Sequence, residues 1–254
     1  MIGIYEKDIN TIPSLIVVDE ENKGKPLPVI TYFHGFTSAK EHNLPLAFLL
    51  AKRGYRVILP DSLYHGAREG KISPAKRQTF FWEIVLQNVK ELEDIKDYVD
   101  ESNLLLDERF GVAGTSMGGI TTSAALTQYD WIKTAAVLMG TPKLTDYAKA
   151  LVDHFQQKNG KLPRTEKEIN RLYEHLTHYD LSKQPEKLKE RPLLLWHGKA
   201  DEVIPFEHTY TFYKQNESLY SNPLNFKFLS EANRGHKVGR YATLETVKWF
   251  TKQL

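Results

Sequence analysis

With 34 Lys+Arg against 32 Asp+Glu and a net charge of +2, this 254-residue chain has no charge excess with which to hold nucleic acid or anionic lipid. The absence of cysteine excludes disulfides, zinc–cysteine sites and a thiol nucleophile. A 41% hydrophobic and 26% charged composition is that of a globular protein, long enough to fold around a large core as one domain over 1–254.

The opening MIGIYEKDIN carries acidic residues and no apolar stretch, unlike a secretory signal, and no apolar run nears the ~18 residues of a membrane span. Both features lead us to expect a cytoplasmic protein. Segments 2–9 and 14–19 read as two opening strands, paired antiparallel. A regular alternation then begins. Val29–Phe33 (VITYF) is a strand, Leu44–Arg53 a helix closed at Gly54, and Tyr55–Leu59 (YRVIL) a strand closed by Pro60. Phe81, Val85, Asn88, Leu92, Ile95 and Val99 recur at three- and four-residue spacing and predict a long amphipathic helix. Arg109–Gly114 (RFGVAG) is a strand and Met117–Gln128 a helix of small residues. Ala135–Met139, Leu193–Trp196 and Asn225–Leu229 are further strands, and Tyr241, Leu244, Val247 and Phe250 line one face of a closing helix.

This order predicts an α/β fold with a mostly parallel central sheet and helices on both faces. One stretch breaks it. Residues 142–191 carry no strand pattern. Leu144, Tyr147, Ala148, Leu151 and Phe155 share one helical face, Ile169, Leu172, Tyr173 and Leu176 another, and a polar link holds Asn159, Gly160 and Pro163. We read 142–191 as a helical cap insertion, expected over the active site because long insertions are usually functional.

Gly114-Thr115-Ser116-Met117-Gly118 fits G-x-S-x-G, follows an apolar strand and opens a helix, the context of a nucleophile elbow. Glycine is needed at 114 and 118 because a side chain there would meet neighbouring backbone in so tight a turn. The elbow sets Ser116 near a helix N-terminus and offers the Met117 N–H to an oxyanion. The loop after VITYF, His34-Gly35-Phe36, offers a second donor, the Phe36 N–H, with the His34 side chain propping the loop.

A serine hydroxyl needs a base. In this arrangement Ser precedes the acid and the acid precedes the His. His236 lies between the last strand and the last helix, which makes it the expected base. Asp201, just past LLLW, is the expected orienting carboxylate, with Glu202 its rival. His197 reads as a structural strand-end residue, His208 as a surface helix residue and His65 as a loop-ordering one. His154, His175 and His178 belong to the insertion. The H-x-x-H pair at 175 and 178 has no third ligand, so no metal is expected.

FHGFTS at 33–38, RVILPD at 56–61, HGAR at 65–68, GTSMGG at 114–119, RPLLLWHGKADEVIP at 191–205 and RGH at 234–236 together resemble small bacterial carboxylesterases of the YitV/YjfP type. These lie in the prolyl-oligopeptidase and dienelactone-hydrolase branch of the α/β-hydrolases. The resemblance implies an α/β-hydrolase fold and hydrolysis of short-acyl esters without a cofactor. It implies Ser116, Asp201 and His236 as a catalytic triad, with Phe36 and Met117 at the oxyanion hole. Dienelactone hydrolases proper use cysteine, which this chain lacks. Phe36 and Phe155, with Trp82, are candidate walls of an acyl pocket. A small-molecule ester is the expected partner. A peptidase of the same branch would use the same triad, but no propeller domain that selects peptides is evident in the sequence. A non-catalytic hydrolase-fold protein would usually lack a triad member.

Overall fold

The computed structural model describes residues 1–160, 162 and 164–254. Strands β1 (Ile2–Ile9) and β2 (Ile12–Asp19) form an antiparallel hairpin from Ile2 opposite Asp19 to Ile9 opposite Ile12. Asn10 and Thr11 turn it, both at positive φ (46° and 69°), as a type I′ turn requires. Then come β3 (Leu27–Phe33), β4 (Arg56–Pro60), β5 (Leu105–Thr115), β6 (Thr134–Leu138), β7 (Leu193–Gly198) and β8 (Phe226–Glu231). One sheet results, ordered β1-β2-β4-β3-β5-β6-β7-β8, with every pair from β4 onward parallel.

The helices are α1 (Leu44–Ala51), α2 (Pro74–Thr79), α3 (Phe81–Glu101), α4 (Met117–Gln128), α5 (Leu144–Asn159), α6 (Glu166–Thr177), α7 (Phe206–Asn216) and α8 (Arg240–Gln253). Strand alternation divides the core between the sheet's two faces. Val29, Ile58, Val112, Val137 and Leu195 pack against Leu92, Ile95 and Val99 of α3, Ala125 and Leu126 of α4, and Phe212 of α7. Their neighbours Ile30, Val57, Ala113, Ala136 and Leu194 pack against Leu46, Leu50 and Ala51 of α1 and Ala242, Val247 and Phe250 of α8. The α/β-hydrolase arrangement predicted above is thus the one observed.

Most strand boundaries shift by one or two residues from the sequence expectation, and the larger differences have a physical cause. Helix α1 ends at Ala51, and its chain turns at Gly54, where φ is 90°. Strand β5 begins at Leu105, ahead of Asp107 and Glu108 at positive φ, and β8 continues to Glu231. Polar or positive-φ residues at a strand end carry no apolar signal, which is why the pattern stopped short of them.

Residues 142–191 leave the sheet after β6 and return at β7. A third core cluster joins Leu144, Tyr147 and Ala148 of α5 and Leu176 of α6 to Trp82, Ile84 and Val85 of α3 and Met117, Ile120 and Ala124 of α4. A capping box starts α6, where the Thr165 hydroxyl accepts from the Glu168 N–H and Glu168 accepts from the Thr165 N–H. Arg164 pairs with Glu83 of α3 at 2.6 Å. Pro163, assigned above to the polar link, lies outside the described residues. No helix among the described residues is long and apolar enough to cross a membrane.

Parallel open sheets bind ligands at the carboxyl ends of strands where successive connections diverge to opposite sides. Here β3 connects to β4 on one side while β5 connects to β6 on the other. The divergence falls between β3 and β5, whose carboxyl ends carry the His34-Gly35-Phe36 loop and the Ser116 elbow.

Candidate active site

Ser116 sits between the last residue of β5 and the first of α4, with φ 55° and ψ −115°, a conformation a non-glycine residue adopts only when its surroundings enforce it. Its N–H donates to the Leu138 carbonyl at 2.9 Å. The glycines supply the enforcement. A Cβ on Gly114 would overlap the Gly118 backbone, and one on Gly118 would overlap the Phe33 carbonyl. Helix α4 is thereby wedged directly onto β3. At Gly35 the expected close approach is milder, since a Cβ there would meet Ser116 Cβ at an ordinary 3.5 Å.

Met117 is the first residue of α4, so its N–H has no acceptor within the helix. The Phe36 N–H donates to no described acceptor either, and Gly35 and Phe36 line one cavity with Ser116. His34 fixes that loop. The Ser62 N–H donates to His34 Nε2 at 3.0 Å, which leaves Nδ1–H to donate to the Gly35 carbonyl at 2.8 Å. Burial pushes the His34 pKa down to about 4, so the ring stays neutral and keeps this tautomer. His65 lies behind, with Nδ1 2.9 Å from the Leu63 carbonyl and its ring edge-on to Phe36.

The three residues proposed as a triad meet. His236 Nε2 is 2.8 Å from Ser116 Oγ, and His236 Nδ1 is 2.7 Å from Asp201 Oδ2. A carboxylate only accepts, so Nδ1 carries the hydrogen and Nε2 is free to accept the serine proton. The Asp201 side chain is fully buried and the His236 side chain 20% exposed. Asp201 Oδ1 accepts the N–H groups of Val203 (2.8 Å) and Ile204 (3.0 Å). Burial alone would push its carboxyl up. The bonds from His197 and His236 and from the two N–H groups outweigh that and hold it well below the usual carboxylate range. Glu202 faces solvent. The His236 loop is pinned as well: the Ala200 N–H donates to the Arg234 carbonyl at 2.9 Å, and Arg234 pairs with Glu231 at 3.2 Å.

Several features escaped the sequence reading. His197 is more than a strand-end prop, because its Nε2 lies 3.1 Å from Asp201 Oδ2 and 3.0 Å from the Ile204 carbonyl. Both partners accept only, so Nε2 donates to both, and Asp201 Oδ2 receives two imidazoles. The four-residue spacing from His197 to Asp201 was the available signal. Asp61, at the carboxyl end of β4, is a fully buried carboxylate that takes Lys40 Nζ at 2.6 Å, the Lys40 N–H at 3.0 Å and the Ala67 N–H at 2.9 Å. It ties together the two loops flanking His34.

A cavity of ≈ 500 Å³ opens beside Ser116, Phe36 and His236, walled by Tyr32, Pro45, Leu46, Thr115, Met139 and Val238 among others. Two of the three wall candidates fall elsewhere. Trp82 is buried against Phe81 and Tyr147 and does not line the cavity, and the Phe81 ring also packs edge-on to Phe36. Phe155 of α5 does not line the cavity, nor does any other described residue of the insertion. Residues 142–191 flank the site through Tyr147, whose hydroxyl reaches the Val203 carbonyl of the acid loop at 3.4 Å. His208, expected on the surface, is half-buried, with Nδ1 3.5 Å from Thr141 Oγ1 and its ring edge-on to Tyr147. The ring of His175 packs edge-on to Tyr179, and no grouping able to hold a metal occurs among the described residues.

The sequence profile of the prolyl oligopeptidase family matches residues 84–254. Over 255 aligned residues covering 100% of both chains, this chain is 43% identical to "Putative esterase YitV" of Bacillus subtilis (strain 168). It is 34% identical to "Esterase YjfP" of Escherichia coli (strain K12) over 82% of each chain. Among solved structures, TT1662 from Thermus thermophilus superposes with a TM-score of 0.77 at 18% identity, over 100% of this chain and 98% of that one. A full-length relative at this identity and a profile spanning α3 to α8 lead to one conclusion: the chain belongs to the prolyl oligopeptidase family of α/β-hydrolases.

Proposed function

We propose that this chain is a serine carboxylesterase that hydrolyses small, short-acyl esters through an acyl-enzyme intermediate. One observation carries the proposal: a single imidazole, His236, bridges Ser116 Oγ at 2.8 Å and the buried Asp201 carboxylate at 2.7 Å.

Ser116 Oγ attacks the ester carbonyl carbon while His236 Nε2 takes the hydroxyl proton. Asp201 holds the tautomer and stabilises the imidazolium. The Phe36 and Met117 N–H groups receive the carbonyl oxygen as it becomes an oxyanion, each such donor being worth about 3 kcal/mol in the transition state. The carbon–oxygen bond to the alcohol breaks, and that alcohol leaves with the proton from His236. Water then attacks the acyl-serine, giving its proton to His236, and Ser116 departs with that proton restored. No step calls for a cofactor. A ≈ 500 Å³ cavity accommodates a small substrate, and the esterase names of the two relatives point the same way.

The test is an ester panel of graded acyl length, with matching amides, on wild type and Ser116→Ala. Wild type should cleave esters, and Ser116→Ala should lose at least ~1,000-fold in kcat while remaining folded. A fluorophosphonate should label Ser116 alone. Retained turnover in Ser116→Ala, or an adduct elsewhere, would remove Ser116 from the mechanism.

A further inference from the structure

The cavity beside Ser116 has a floor that the reaction above leaves unused. Tyr32, one residue before the end of β3, and Thr115, the last residue of β5, converge there because the two strands run parallel with Tyr32 opposite Ala113 and Phe33 opposite Gly114. The two hydroxyls, Tyr32 Oη and Thr115 Oγ1, are hydrogen-bonded to one another. Both residues line the cavity, and Thr115 is the immediate neighbour of Ser116.

Two hydroxyls carry two hydrogens, and the bond between them uses one. Neither hydroxyl makes a second hydrogen bond to any described residue. Whichever of the two donates, the hydrogen of the other is left over. Tyr32 is only 3% exposed, and Leu46, Met139 and Val238 beside the pair bring no polar side chain to receive that hydrogen. That hydrogen is therefore available to an acceptor that enters the cavity. Burial pushes the Tyr32 pKa up to about 12, so the phenol keeps its proton at any working pH. Of the described residues lining the cavity, only Tyr32, His42 and His236 carry an ionisable group, and none is a permanent cation that would attract a carboxylate.

We infer that the Tyr32–Thr115 hydroxyl pair is a donor subsite for an uncharged ester bearing an ether or hydroxyl oxygen a few atoms from the carbonyl. The inference rests on the serine-esterase reading and narrows its substrate class. It places the acceptor oxygen of the substrate on the left-over hydrogen, with the carbonyl held against Ser116. A plain alkyl chain would cover the same donor without satisfying it.

The test scans an ether oxygen through otherwise identical esters. In one series successive methylenes of the acyl chain are replaced by oxygen, and in the other those of the alcohol chain. Each ether ester is compared with its all-carbon partner on wild type and on Tyr32→Phe, Thr115→Val and the double variant. The ratio of kcat/KM values within a pair contains the intrinsic effect of the ether on reactivity, and that effect cancels between enzymes. At one or more ether positions the ratio should fall about 3–10-fold from wild type to the double variant, the range of one neutral hydrogen bond. Ratios unchanged at every position, with the all-carbon esters still cleaved, would overturn the subsite and leave the esterase reading standing. If wild type cleaved no ester and took no fluorophosphonate label, both would fall together. Should a variant fail to fold, inhibition of wild type by pentylboronic acid and its ether-containing isosteres decides the matter. At least one isostere should bind about 3-fold or more tighter, and equal inhibition throughout would overturn the inference.

Discussion

Lys40→Met tests whether the scaffold around the His34-Gly35-Phe36 loop depends on a buried charge pair. The Lys40 side chain is 7% exposed and the Asp61 side chain 0%, with Nζ 2.6 Å from Oδ2. Methionine preserves most of the stem and removes the cation. Asp61 would keep the Lys40 and Ala67 N–H groups but sit in the core as a carboxylate without its partner. Removing one member of a buried pair costs about 3–5 kcal/mol. A chain of 254 residues unfolds with an entropy of about 0.5 kcal/mol/K, so Tm should fall by roughly 6–10 K. The pH dependence has a definite sign. Burial raises the Asp61 carboxyl, but its bonds from Lys40 and Ala67 bring it below the ordinary carboxylate value. A carboxyl lowered on folding contributes stability above its unfolded value, about 3.9, and that contribution is lost as pH falls through the lower native value. Lys40→Met removes the principal lowering contact. The gap between wild type and variant should therefore be widest at pH 7 and close as pH drops below about 4. Thermal melts at pH 7, 4 and 3 measure this, with Lys40→Met/Asp61→Asn expected to recover most of the loss at neutral pH. A deficit under about 1 kcal/mol at pH 7, or a gap that widens on acidification, would refute the reasoning.

Three shorter predictions concern the site. His197→Phe strips one donor from Asp201 while leaving those of His236, Val203 and Ile204, so the fold should survive and kcat/KM should drop about 10-fold. Its acid limb should also move to higher pH, because a carboxylate with fewer donors stabilises imidazolium better; an unmoved limb would mean that His197 only packs. Gly118→Ala drives a methyl group into the Phe33 carbonyl and should cost at least about 3 kcal/mol, whereas Gly24→Ala, with nothing within 4 Å of its Cβ, should stay within about 0.5 kcal/mol of wild type. Ester hydrolysis should decline on acidification, because an imidazole that already holds a proton cannot take one from Ser116, and full activity at pH 4 would argue against His236 as the base.

The strand–helix alternation was legible because each buried strand is a compact apolar run and each long helix repeats at three or four residues. Ser116 could be located because a strand, G-x-S-x-G and a small-residue helix occur together only where the backbone must turn sharply. His236 and Asp201 followed from chain order, since loops after the last strands open at the same sheet end as the elbow. Side-chain direction was harder to read. Trp82 and Phe155 lie on apolar helix faces, but an apolar face states that a residue is covered without stating by what, and Trp82 packs on Phe81 and Tyr147 rather than on the cavity. Tyr32 read as strand interior, yet its hydroxyl ends at the cavity floor because parallel register carries it to Thr115. The Lys40–Asp61 pair joins loops 21 residues apart, and nothing local announces such a pairing.

The insertion leaves the sheet from β6 and rejoins it at β7, and these two strands are immediate neighbours, about 5 Å apart. Because the pair is parallel, with Ala135 level with Leu193 and Leu138 level with Trp196, the chain leaves at one edge of the sheet and re-enters at the other. Residues 142–191 therefore carry a crossover, and any replacement segment would need about a dozen residues or more to run back along the sheet, a span that a helix supplies. The cavity beside Ser116 is lined from β3, β5, Met139, the segment leading into α1 and the segment leading into α8, and by no described residue of 142–191. The crossover can thus vary in length, so long as it reaches the far edge of the sheet, without removing a wall of that cavity.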